Sequence, residues 1–139
     1  MPTATQILLV AFGSALGGLA RWGVTVWFGR WLGAAFPWGT FTVNISGSLF
    51  LGWFLTILAE RMAAVKSLWF SPDDLRLMVA VGFTGAYTTF STFEYESHRL
   101  LGDGDGLAGA AYVALSVFLG LIAVRAGVVL AHAGTGGAP

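Results

Sequence analysis

The sequence predicts an all-α membrane protein with four membrane-spanning helices, the third of them broken. Three observations carry this expectation. Only 10% of the 139 residues are charged and 56% are hydrophobic, against about 25% charged in an ordinary soluble domain, and the mean hydropathy is +0.77. Four apolar segments each approach the roughly 20 residues that a helix needs to cross about 30 Å of hydrocarbon. The third segment contains Gly82-Phe83-Thr84-Gly85-Ala86-Tyr87-Thr88-Thr89-Phe90-Ser91-Thr92-Phe93. Its glycines lower helix propensity, and its hydroxyls compete for backbone hydrogen bonds. Backbone carbonyls freed in hydrocarbon cost several kcal/mol each unless protein, ion or water satisfies them. A weak helix at that depth is therefore expected to break beside a site or a cavity.

The elements follow in order within one domain, 1–139. Segment one, about 5–28, is interrupted only by Arg21. Its start lacks the basic region of a cleaved leader, so it is expected to stay in the mature chain. Gly13, Gly17 and Gly18 on it make a Gly-x-x-x-Gly surface suited to close helix contact. Segment two, about 38–59, is uncharged and starts after Pro37, a residue that suits a helix N-terminus. Segment three, about 75–97, follows Ser71-Pro72-Asp73-Asp74, which reads as an N-cap, a first-turn proline and acids against the positive helix end. Segment four, about 107–131, follows the turn Gly102-Asp103-Gly104-Asp105-Gly106 and carries Arg125 near its end. The tail 134–139 reads as flexible.

Charge limits the function classes. The seven basic and seven acidic residues cancel, so no nucleic-acid partner is expected. The absence of cysteine excludes disulfides and thiolate metal sites. Four spans put both termini on one side, with Arg61, Lys66 and Arg76 there and Arg125 nearby, against Arg30 and Arg99 opposite. The positive-inside rule then favours cytoplasmic termini by a narrow margin. So weak a bias is compatible with insertion in both orientations, and so small a bundle with oligomerisation.

Polar residues within the spans each carry a structural and a functional reading. Arg21 costs roughly 3 kcal/mol at a helix centre unless it snorkels or serves an anion path. Thr40, Asn44 and Ser48 are four apart and share a face. That face is either interhelical glue or a row of neutral donors. Phe90 and Phe93 share a face after the break, as core or lipid-facing rings, or as positive ring edges that hold an anion. Tyr112 and Ser116 are paired in the same way on segment four. A string of neutral donors suits a small anion that must leave as readily as it enters. His98 and His132 lack metal or nucleophile spacing and read as interfacial residues.

These residues also carry a resemblance. The run Gly82-Phe83-x-Gly85-x-x-Thr88-Thr89-Phe90-Ser91-Thr92-Phe93, with Gly39-Thr40-Phe41-x-Val43-Asn44-x-x-Gly47-Ser48 and Gly17-Gly18-x-x-Arg21, closely resembles the Fluc-type (CrcB family) fluoride channels. The likeness covers nearly the whole chain. It implies an antiparallel, dual-topology homodimer in the bacterial plasma (inner) membrane, surrounded by lipid. Such a dimer has two fluoride pores and a structural sodium ion, Na+, at its centre. By the same resemblance Phe90 and Phe93 face the fluoride path, Asn44 is a pore donor, and Thr89 and Ser91 belong to the polar part of the motif. Tyr112 and Ser116 match a polar track on the fourth helix, Glu96 an acidic residue past the second phenylalanine, and Arg21 a basic residue toward the vestibule. The sodium carbonyls map to Gly85 and Thr88. Glu94 departs from the family's usual small residue.

The function so implied is passive, selective export of fluoride that entered as HF and dissociated inside the cell, with no enzymatic activity. The alternative is a small dual-topology multidrug exporter. Proton-for-cation exchange wants a membrane-embedded carboxylate, and segments one, two and four offer none in their apolar spans.

Overall fold

A computed structural model describes residues 2–61, 71–102 and 104–134, and every regular element among them is helical. Lys66, Asp103 and most of the tail expected to be flexible lie outside these residues. The chain folds as α1 (Ala4–Leu32), α2 (Trp38–Arg61), α3 (Pro72–Leu75), a π-helical stretch (Arg76–Thr84), α4 (Gly85–Tyr87), α5 (Phe90–Gly102) and α6 (Gly106–Ala133). Among the described residues three helices are long and apolar enough to cross a membrane: Ala4–Leu32, Trp38–Glu60 and Gly106–Ala133. The third expected segment is instead divided among shorter pieces.

Helix starts follow local chemistry. Thr3 and Gln6 form a reciprocal capping box, with bonds of 3.2 Å and 2.9 Å. Ser71 and Asp74 form another, ahead of Pro72. Asp105 accepts the Ala108 amide at 3.3 Å and so caps α6. Gly33, at φ 75, turns the chain out of α1.

Packing brings backbones close in two pairings. Gly13 and Gly17 of α1 lie against the Met78 and Phe83 backbone of the π-helical stretch, and a methyl on either would run into a carbonyl oxygen. Gly82 returns the contact against the Val10 carbonyl. Ser14 Oγ donates across this contact to the Gly82 carbonyl at 3.4 Å. Gly18, expected on the same surface, has open space around it. On the other side Gly52 lies against the Val124 carbonyl and Gly127 against the Leu49 carbonyl, and with Phe41 packed near Tyr112 at one end and Glu60 on His132 at the other, α2 and α6 run parallel. Where these two helices end, Glu60 and His132 meet at 2.7 Å.

In the π-helical stretch the ladder opens to five-residue spacing. Thr84 Oγ1 bonds the Val79 carbonyl at 3.0 Å, and the Gly85 amide reaches the Ala80 carbonyl. Such widened turns recur at functional sites because they re-aim the residues that follow. Many large apolar side chains face outward, among them Leu8, Trp22, Trp31, Leu107 and Phe118. Lipid is the solvent that such a surface suits.

The backbone contact at Gly17 makes a measurable demand. Gly17→Leu is expected to lower stability by about 3 kcal/mol or more through overpacking, read as thermal unfolding in detergent by circular dichroism. Gly18→Ala should leave the melting temperature unchanged or slightly raised. Equal melting of Gly17→Leu and the parent protein would exclude the close approach.

Candidate functional site

The helical backbone is interrupted at Thr88 and Thr89. Thr88 adopts φ −86 and ψ 161, an extended conformation that ends α4. Thr88 Oγ1 turns back to the Thr84 carbonyl at 3.0 Å. Thr89 then caps the next helix, its Oγ1 accepting the Thr92 amide at 3.3 Å and donating to Thr92 Oγ1 at 3.0 Å. Asn44 completes the arrangement from α2. Its Oδ1 accepts the Thr89 amide at 2.9 Å and its Nδ2 donates to the Thr89 carbonyl at 3.1 Å. One side chain thus satisfies the donor and the acceptor of the same residue, next to the extended Thr88. Gly47, one turn along α2, gives the Thr88 methyl room to pack on its backbone.

Beside this interruption lies a cavity of about 220 Å³ lined by Asn44, Ser48, Thr84, Thr88, Thr89 and Phe90, with Gly47 and Leu51. A second cavity, of about 200 Å³, opens where α1 gives way to α2, and Thr40, Glu96 and Arg99 are among its lining residues. At the level between the two along α5 sits an aromatic seal. Phe93 and Tyr112 are buried with ring centroids 5.2 Å apart, and Phe36, Phe41 and Val113 pack around them. Glu96 joins the second cavity to this seal. Its Oε1 accepts from Thr40 Oγ1 at 2.9 Å, and its Oε2 accepts from the Tyr112 hydroxyl at 2.9 Å.

The structure therefore brings Asn44, Thr89, Phe90, Phe93, Glu96 and Tyr112 into one polar and aromatic column. Phe90 and Phe93 lie 6.0 Å apart by ring centroids. Their settings differ sharply, with Phe90 74% exposed beside the first cavity and Phe93 8% exposed inside the seal. Ser116, one turn beyond Tyr112 on α6, has a buried Oγ without a hydrogen-bond partner among the described residues. Ser91 is exposed, and neither it nor Arg21 lines either cavity. Thr88 lines the first cavity. Gly85, three residues earlier, has room around its Cα. The Thr89 amide, which would close a helical turn on the Gly85 carbonyl, is given to Asn44 instead.

Sequence reasoning placed Thr40 and Ser48 on the right face without assigning them to the site, although their spacing from Asn44 was the signal. Thr84 and Arg99 were missed. For Arg99 the available signal was its three-residue spacing from Glu96 on one helix.

Residues 8–128 match the family model described as CrcB-like protein, Camphor Resistance (CrcB). The chain belongs to the CrcB family. A protein of Trichormus variabilis named fluoride-specific ion channel FluC is 40% identical over 129 residues, 93% of this chain and 90% of the relative. A protein of that name from Nitrobacter winogradskyi is 44% identical over 124 residues, 89% of this chain and 93% of the relative. A third, from Acidobacterium capsulatum, is 43% identical over 127 residues, 91% of this chain and 96% of the relative. The match runs through both cavities and the interruption between α4 and α5.

Asn44→Ala would strand the amide and the carbonyl of Thr89, each at a penalty of about 1–3 kcal/mol. Expected outcomes are a lower melting temperature and faster hydrogen exchange at the Thr89 amide. Asn44→Asp keeps the acceptor and loses the donor, and should fall between the two. Unchanged exchange at Thr89 in Asn44→Ala would show that the interruption is held by something else.

Proposed function

We propose that this CrcB-family chain is a passive, fluoride-selective channel of the bacterial plasma membrane, exporting fluoride from the cytoplasm. The observation that carries this reading is the column of neutral hydrogen-bond groups and aromatic rings that links two cavities past an interrupted helix. Fluoride is small and binds water tightly, so a pore must replace its water with donors and still release it. Asn44 gives one amide proton to Thr89, and its second N–H is left for a ligand. The buried Ser116 hydroxyl is a further donor in want of an acceptor. Phe90 and Phe93 offer ring edges, which carry partial positive charge without the cost of a fixed cation at membrane depth. Thr40 and Tyr112 hold Glu96 with hydroxyls that a passing anion would compete for. The seal at Phe93 and Tyr112 separates the cavities, so a ring must turn aside as each ion crosses. Ser91 and Arg21 belong to this reading at the pore margin, by the family pattern.

The finer parts of the reading concern assembly. The segment from Pro72 to Gly102 serves as the broken third span, its interruption at Thr88 and Thr89 held by Asn44. Two copies pair as an antiparallel, dual-topology homodimer, which the narrow charge bias and the extensive apolar exterior support. A central sodium ion would be held by the carbonyls of Gly85 and Thr88. These residues suit it, since a hard cation takes oxygen ligands, Thr88 follows the C-terminal end of α4, and the Thr89 amide that would pair with the Gly85 carbonyl goes to Asn44. When bound, the ion supplies fixed positive charge at the dimer centre and satisfies carbonyls that the interruption frees.

The test is fluoride efflux from liposomes holding the purified protein, read with a fluoride electrode beside a chloride control. Rapid fluoride release with little chloride release is expected. Phe90→Ile or Phe93→Ile should cut the rate by about tenfold or more, equivalent to a barrier raised by roughly 1.4 kcal/mol. A multidrug exporter using Glu96 as its proton carrier would instead release no fluoride and would couple cation transport to a pH gradient.

A further inference from the structure

We propose that Arg99 makes the Glu96 end of the column passable to an anion, and that the cavity these two residues share is the column's anion-collecting mouth. The proposal rests on the channel reading above.

Glu96 stands on the route between the seal and the second cavity, and both of its carboxylate oxygens are anchored by hydroxyls from α2 and α6. A fixed negative charge there repels any anion that arrives from the cavity side. The cavity wall supplies the answer. Arg99 lies three residues further along α5, lines the same 200 Å³ cavity, and is exposed. Residues three apart on a helix are neighbours on one face. Among the described residues Arg99 makes no ion pair with Glu96 or with any other acid. Its charge is therefore turned to the cavity and solvent, while Glu96 is turned inward to Thr40 and Tyr112.

The rest of the lining includes Thr25, Gly29, Gly39 and Trp38, which are uncharged. Within this wall the carboxylate and the guanidinium are the only formal charges, and the guanidinium is the outer one. A cation at the lip of a low-dielectric cleft raises the local anion concentration and the entry rate, an effect that falls with ionic strength. Arg99 also sits in the last turn of α5, where a cation favours the helix end. The test separates that structural role from anion collection.

Fluoride efflux from liposomes is compared for the parent protein, Arg99→Gln, Arg99→Lys and the Glu96→Gln/Arg99→Gln pair. Potassium gluconate sets the ionic strength, and circular dichroism melts check folding. Arg99→Gln should slow release by about tenfold at low salt. The deficit should shrink as salt shortens the screening length from about 30 Å at 0.01 M to about 3 Å at 1 M. Arg99→Lys should keep most of the rate, and adding Glu96→Gln to Arg99→Gln should recover part of the loss. Unchanged low-salt flux in Arg99→Gln, or a loss that salt does not alter, overturns the proposal while the parent channel still conducts. Absence of fluoride release from the parent protein itself removes the channel reading and this proposal together.

Discussion

Everything in this fold that bears on function depends on the pairing of Asn44 with Thr89. A residue inserted between helices leaves its own amide and carbonyl without intrahelical partners. In an apolar setting each of these would cost several kcal/mol. A side-chain amide presents a donor and an acceptor in one plane, and here both are used, at 3.1 Å and 2.9 Å. Because the pair holds the interruption at one place, the residues that follow have fixed directions. Phe90 comes to border the first cavity, Phe93 enters the aromatic seal, and Glu96 reaches Thr40 and Tyr112.

The scaffold around that pair is stiff for a related reason. Gly13, Gly17 and Gly82 on one side, and Gly52 and Gly127 on the other, let helices meet through their backbones. Where no side chain intervenes, dispersion contacts are short and many, and a helix cannot roll about its axis without collision. The cavities lie beside the interrupted segment, away from these glycine contacts. Rigid contacts thus border a region with empty space, an arrangement suited to a path that must admit an ion without unfolding its walls.

Much of this was legible in the sequence. Three long apolar helices, the starts of α2 at Trp38 and of α3 at Pro72, and the close contacts at Gly13 and Gly17 all follow from local chemistry and spacing. The four-residue spacing of Thr40, Asn44 and Ser48 placed a polar face on α2. What could not be read were the partners. Nothing in the pattern says that Asn44 spends its amide on Thr89, because that pairing depends on how two helices set their depth against each other. Gly18 was expected in the glycine contact because spacing cannot fix the rotation of α1 to within one residue. Ser91 was taken with its motif neighbours, yet a helix restarting at Phe90 turns it outward. Arg99 was counted only toward the charge bias of the loops.

The double pairing at Asn44 also sets how freely this position can vary. Aspartate has no donor, glutamine is a methylene too long for the same depth, and serine or threonine cannot reach a donor and an acceptor at once. Position 44 therefore has a substitution set of one, whereas the outward positions of α1 and α6 accept nearly any apolar residue. Random mutation of this chain should give a sharply uneven map of tolerance, with its least forgiving point at an uncharged residue.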